Sequence, residues 1–157
     1  MHTRISKSFR WEMAHRLPFH DGGCKNIHGH SYQMTVEVAG EPDADGMVLD
    51  YFDLVRIVEP MVKEIDHGFL CHNTDTLIKE FLKSTSLKSI FVDFPTTAEN
   101  IANWFFERLA DCFMPMKNIR ELRIIVSETE KTTAEVFGEI RINPVGKRNF
   151  EHQEHKP

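Results

Sequence analysis

Between Ser31 and Val38 the side chains alternate without a break. Tyr32, Met34, Val36 and Val38 fall on one parity, and Ser31, Gln33, Thr35 and Glu37 on the other. A period of two puts the first set on one face of a strand and the second on the opposite face. Such a strand needs one covered face and one wet face, so the chain must build a sheet with its packing on one side. An earlier stretch, Arg4 to His15, has the same parity more loosely, with Ile5, Phe9, Trp11 and Met13 together. The connection "RLPFHDGGCKNIHG" carries Pro18 and Gly22-Gly23 and reads as a loop. The two strands form a hairpin with a long connection.

After the turn "EPDADGM" the period changes. Phe52, Val55, Ile57, Val58, Val62 and Ile65 fit one face of a helix with Asp50 as its N-cap, and Pro60 marks a kink or a boundary. "NTDTLIKEFLKSTS" reads as a short second helix and "SIFVDF" as a short apolar strand. "TTAENIANWFFERLADCF" is the clearest helix, with Thr96 as the expected cap and Glu99 completing a capping box. "NIRELRIIVSE" and "TAEVFGEIRI" are strands around the turn "TEKT". This order predicts an α+β fold: an antiparallel four-stranded sheet in two hairpins, with helices on one face. Residues 1–146 are expected to form a single domain and 147–157 a polar tail.

Composition narrows the function. A formal charge of −5 argues against a nucleic-acid partner, which usually meets a basic excess. The cysteines, Cys24, Cys71 and Cys112, are odd in number and lack framework spacing, which predicts a reducing compartment. The N-terminal stretch has no apolar signal segment, and no apolar run is long enough to span a bilayer. The expectation is a cytoplasmic protein without a membrane partner.

Three constellations carry chemistry. His28 and His30 stand two apart at the mouth of a strand, so their imidazoles share a face. His15 ends the preceding strand at the same end of the hairpin. Three histidines describe a metal site with an open position; Cys24 as a fourth ligand would describe a closed structural one. Asp66-His67 sets a carboxylate beside an imidazole, an arrangement suited to proton shuttling, or simply a solvated helix end. Glu128 ends an apolar strand, where a carboxylate can accept two parallel N–H bonds from a guanidine-like ring edge or serve as a turn residue. His2, His20, His72, His152 and His155 are isolated or in tails and read as surface histidines.

"FRWEMAHRL", "CKNIHGHSY", "IDHGFL", "TTAEN" and "VSET" occur in this order between Ile5 and Ile142. Together they resemble the family of 6-pyruvoyltetrahydropterin synthase and its bacterial relative 6-carboxytetrahydropterin synthase. The resemblance implies the tunnelling fold, in which trimers close their sheets into a barrel and stack as a homohexamer with active sites between subunits. It implies Zn²⁺ held by His15, His28 and His30, and Cys24 as a catalytic base outside the metal's ligand set. It further implies Asp66 and His67 as a proton relay, Glu128 as the pterin anchor and Thr97 as a further pterin contact. The implied substrate is 7,8-dihydroneopterin triphosphate.

The C-x-x-x-H-G-H spacing resembles the carboxy-forming type, whose product, 6-carboxy-5,6,7,8-tetrahydropterin, belongs to queuosine biosynthesis. The alternatives are triphosphate elimination alone, giving the pyruvoyl product, or a zinc- and pterin-binding module without turnover. Arg16 and Lys25 are candidates to meet the triphosphate. The segment from Cys71 to Phe94 is longer than the matching link in compact members, and Cys71 and Thr96 stand where the family has Asn and Pro.

Overall fold

The structure, a computed structural model, describes residues 2–140. The expected tail, 147–157, lies outside the described residues. Among the described residues the strands and α-helices are β1 Thr3–His15, β2 His28–Gly40, α1 Tyr51–Ile65, β3 Gly68–His72, α2 Thr76–Lys83, β4 Ser89–Val92, α3 Ala98–Phe113, β5 Ile119–Thr129 and β6 Thr132–Glu139. The two expected hairpins are present, β1 with β2 and β5 with β6, and β2 pairs antiparallel with β5.

The sheet differs from the four-stranded antiparallel expectation. It has six strands in the order β4-β3-β1-β2-β5-β6, with β3 parallel to both β1 and β4. The physical reason lies in β3. Its five residues, "GFLCH", form a short apolar run with no alternation, so nothing local separates it from the end of a helix. Its parallel pairing with β4 uses α2 as the crossover.

One face of the sheet carries the core. β1 turns Trp11 and Met13 inward, and β2 turns Tyr32, Met34 and Val36 the same way, as their alternation dictates. α1 covers them with Leu54, Val58, Val62 and Ile65, and α3 with Ile101, Phe105, Leu109 and Phe113. Each such side chain contributes about 1.5–3 kcal/mol when fully removed from water. Phe52, expected on the apolar face of α1, is instead 80% exposed, and Leu54 takes the core position. α1 runs unbroken through Pro60. Pro60 and Arg56 are both exposed, so the Arg56 carbonyl left unpaired by proline can be hydrated.

α1 starts on Asp50 as expected, its carboxylate accepting the Phe52 N–H at 2.7 Å. α3 does not start on Thr96. Its cap is Thr97, whose hydroxyl accepts the Asn100 N–H at 3.4 Å, and with the cap there Glu99 is out of register for a capping box. Thr96 is 1% exposed and has a different task, described below.

Candidate metal centre and active site

The β1–β2 register places His15 opposite His28 and Met13 opposite His30. Residues opposite one another share a face, so all three histidines continue the inward row of Trp11, Met13 and Tyr32 past the end of the apolar core. Gly29, between the two histidines of β2, lies close against β1: a Cβ there would be 3.0 Å from the Met13 carbonyl oxygen. Ring centroids stand 4.6 Å apart for His15–His28, 5.0 Å for His28–His30 and 5.4 Å for His15–His30. One nitrogen from each lies within 4.8 Å of the others. Cys24 is not part of this cluster.

Backbone carbonyls set the tautomers. His15 Nδ1 lies 2.7 Å from the Thr96 carbonyl oxygen, and His28 Nδ1 lies 2.8 Å from that of Asn26. A carbonyl only accepts, so each Nδ1 carries a proton and Nε2 is the nitrogen left to face a metal. Burial pushes the His15 imidazole down to about 4, and the neighbouring His28 and His30 add to the effect, so it is neutral at pH 7. Burial lowers His30 as well.

The Tyr32 hydroxyl lies 3.2 Å from His15 Nε2 and donates to Glu128 Oε1 at 3.1 Å. Burial first, and then the Glu128 carboxylate, raise the phenol pKa, so it stays protonated. Its single proton goes to Glu128, and the buried His15 Nε2 lone pair is left facing an oxygen. Three converging imidazoles, with an unfilled acceptor at His15, fit a divalent cation that favours nitrogen, and among the described residues no fourth protein ligand joins the cluster.

Glu128 sits beside this centre, Oε1 3.7 Å from His15 Nε2, and is part-exposed. Thr97, expected as a pterin contact, caps α3, its hydroxyl oxygen accepting the Asn100 N–H. Its neighbour Thr96 does the positioning: the carbonyl holds His15, and the hydroxyl donates to the Arg16 carbonyl at 3.2 Å.

Cys24 occupies a single helical turn, Gly23–Lys25, and is half-buried with a free thiol. Its carbonyl accepts the Leu17 N–H at 2.8 Å. The Arg16 guanidinium donates to the Lys25 carbonyl at 3.2 Å and grips Asp75 with two further nitrogens. Arg16 thus makes three hydrogen bonds within the chain, and a guanidinium has five N–H donors.

Asp66 and His67 contact each other, with Nδ1 and Oδ1 2.9 Å apart. Asp66 also accepts the Glu12 N–H at 2.9 Å; that bond, then His67 and Lys88, hold its carboxyl below the usual range. His67 has φ 56°, in the left-handed region that non-glycine residues seldom occupy. Its N–H donates to the Glu12 carbonyl at 2.6 Å, which stitches the turn to β1. Its exposed ring lines an open groove with Glu12, Gly29, His30 and Ser31.

The sequence gives no role to Tyr32 or Asp75, and it offers Thr96 as a helix cap and Arg16 as a triphosphate contact rather than as supports of the site. Tyr32 carried a signal, a hydroxyl on an inward row two residues beyond a metal-type histidine. The other three act through contacts that sequence spacing does not display.

The sequence model of the family described as 6-pyruvoyl tetrahydropterin synthase matches residues 4–139. A Haemophilus influenzae protein named 6-carboxy-5,6,7,8-tetrahydropterin synthase is 40% identical over 114 residues, covering 68% of this chain and 81% of its own. A Synechocystis protein of the same name is 35% identical, with 71% and 78% covered. The crystal structure of the Plasmodium vivax 6-pyruvoyl tetrahydropterin synthase superposes with a TM-score of 0.73 at 17% identity, covering 88% of this chain and 99% of that one.

Proposed function

The chain belongs to the 6-pyruvoyl tetrahydropterin synthase family, and from that premise we propose that it is a zinc-dependent lyase acting on 7,8-dihydroneopterin triphosphate. The product is 6-carboxy-5,6,7,8-tetrahydropterin, formed with uptake of water and release of acetaldehyde and triphosphate. The observation that carries this reading is the set of three converging imidazoles beside a carboxylate that is itself held by a tyrosine hydroxyl. The carboxy-forming route is supported by the names of the Haemophilus and Synechocystis relatives and by the spacing of Cys24, His28 and His30.

In this proposal His15 and His28 offer Nε2, and His30 a ring nitrogen, to Zn²⁺. When bound, zinc supplies Lewis acidity toward the substrate's side-chain hydroxyls. Glu128 accepts two N–H bonds from the pterin edge, and the Tyr32 hydroxyl fixes its orientation. Cys24 takes a proton from the carbon next to the ring. Asp66 holds His67 through Nδ1, which leaves Nε2 to pass a proton on the other face. The left-handed backbone at His67 aims that ring into the groove shared with His30.

The assembly belongs to the same proposal. The sheet order leaves β4 and β6 as edges, and unpaired edges invite pairing with another chain. Trimers that close these edges into a barrel, stacked as a hexamer, would bring neighbouring chains to each site. A place in queuosine biosynthesis and a cytoplasmic location complete the reading; no helix among the described residues is long and apolar enough to cross a membrane.

A mass-spectrometric assay of zinc-loaded protein with 7,8-dihydroneopterin triphosphate tests it. Carboxytetrahydropterin and acetaldehyde are expected. The pyruvoyl product alone would move the protein to the other branch, and unchanged substrate would overturn the lyase assignment.

A further inference from the structure

We propose that the Arg16–Asp75 pair positions the Cys24 thiol, so that the chain between β3 and β4 acts as a brace for the active site. The inference rests on the reading of Cys24 as a base.

Arg16 follows His15 directly, at the exit of β1. Its Nε and Nη2 donate to Asp75 Oδ2 and Oδ1 at 2.6 and 2.8 Å, a two-pronged grip. Its third nitrogen, Nη1, donates to the Lys25 carbonyl, the last residue of the turn that carries Cys24. Its own carbonyl is held by the Thr96 hydroxyl. Every polar handle named for Arg16 thus ties β1 to the Cys24 turn, to α3 or to α2. The next residue adds a main-chain tie, Leu17 N–H to the Cys24 carbonyl.

The other end of the grip is well anchored. Asp75 is 6% exposed and caps α2, accepting the Ile78 N–H at 3.5 Å. The Arg16 guanidinium holds its carboxyl below the usual range. A buried carboxylate without its cation would be strongly unfavourable, so the pair has essentially one arrangement. The Cys24 turn, by contrast, is entered through Gly22-Gly23 and closed within itself by Asn26 N–H to Gly23 carbonyl at 3.0 Å and a longer Lys25 N–H to Gly22 carbonyl bond at 3.4 Å. Left alone, a turn entered through two glycines samples many positions. A base displaced by about 1 Å forfeits on the order of 100-fold in rate.

The same excursion reaches the second proton-handling turn. Lys88, just before β4, donates through Nζ to the carbonyls of Asp66 at 2.6 Å and Lys63 at 2.8 Å. The stretch between β3 and β4 therefore supports the cysteine turn at one end and the Asp66–His67 turn at the other.

The test uses the full, metal-loaded chain in a Cys112→Ser background, which removes the exposed thiol. Asp75→Asn keeps the α2 cap but weakens the grip, and Arg16→Lys keeps the charge without the fork. Three quantities are measured: metal per chain, kcat and KM with 7,8-dihydroneopterin triphosphate, and the pH profile of Cys24 alkylation by iodoacetamide, located by peptide mass mapping. Both variants are expected to keep their metal and a KM within roughly threefold, lose about 10- to 100-fold in kcat, and show a displaced alkylation profile.

An alkylation profile superimposable on the parent's, with kcat unchanged, overturns the proposal. So does a kcat that falls only in step with lost metal, which would make the pair a support for His15. Should Asp75→Asn fold poorly, Arg16→Lys carries the test, because it leaves the buried carboxylate with a cation. Cys24→Ala, with the grip intact, tests the underlying reading separately: parent-level turnover there removes Cys24 from the chemistry, whatever the two positioning variants do.

Discussion

A phenol has one proton, and at Tyr32 it decides what the neighbouring groups can do. Given to Glu128, it fixes a carboxylate and leaves His15 Nε2 open. Tyr32→Phe keeps the ring stacked on Trp11 while removing that proton. A hydrogen bond to a charged group contributes about 1.5–3 kcal/mol, so kcat/KM should fall roughly 10- to 100-fold. Metal content should be unchanged, since the histidine tautomers are set by Thr96 and Asn26. Steady-state kinetics with metal analysis checks this; an unaltered kcat/KM would mean that Glu128 needs no such support.

At the scale of elements, what was legible followed from local periodicity. The β1–β2 hairpin and its inward row came from strict alternation, and the histidine cluster from the same parity carried two residues further. β5, β6 and the body of α3 were legible for the same reason. β3 was not, because a strand of five residues without alternation declares itself only through its neighbours. The cap of α3 was misplaced by one residue because Thr96 and Thr97 are chemically equivalent caps; what separates them is that the Thr96 carbonyl is taken by a histidine 81 positions away. The Arg16–Asp75 grip spans 59 positions and leaves no periodic trace. Hydrophobicity alone points Phe52 inward, yet it lies in the first turn of α1, beyond the edge of the packed face.

For the molecule as a whole, three groups near the site make stability depend on pH in two steps. His15 has a folded value of about 4 against an ordinary 6.5, so below pH 6.5 the unfolded chain takes up a proton that the folded chain refuses. Metal-free protein should therefore lose stability from pH 6.5 down to about 4, on the order of 3 kcal/mol in all. Asp66 and Asp75 are held below their ordinary 3.8, so their contribution is complete above that pH and disappears as acid reaches their lowered values. Urea titrations of chelated protein at a series of pH values should resolve the first step, and His15→Asn should remove it. A flat stability between pH 7 and 4 would show that the His15 imidazole is far easier to charge than its burial implies.

Trp11 lies flat on Tyr32, their ring centroids 5.2 Å apart and planes 2° from parallel, and Tyr32 in turn meets His15 edge-on at 6.0 Å. Trp11 is enclosed in apolar side chains and its indole N–H has no partner among the described residues, so its emission should lie at the blue end of the range. Trp104, the other tryptophan, is only partly buried and has the Arg108 guanidinium 4.4 Å from its ring. The hairpin therefore carries its own optical gauge. An ion with a partly filled d shell, such as Co²⁺, should dim the blue-edge fluorescence on entering the histidine cluster, where closed-shell Zn²⁺ should not. Trp11→Phe should abolish that response and Trp104→Phe should preserve it, so occupancy of the centre becomes readable in dilute solution without substrate or turnover.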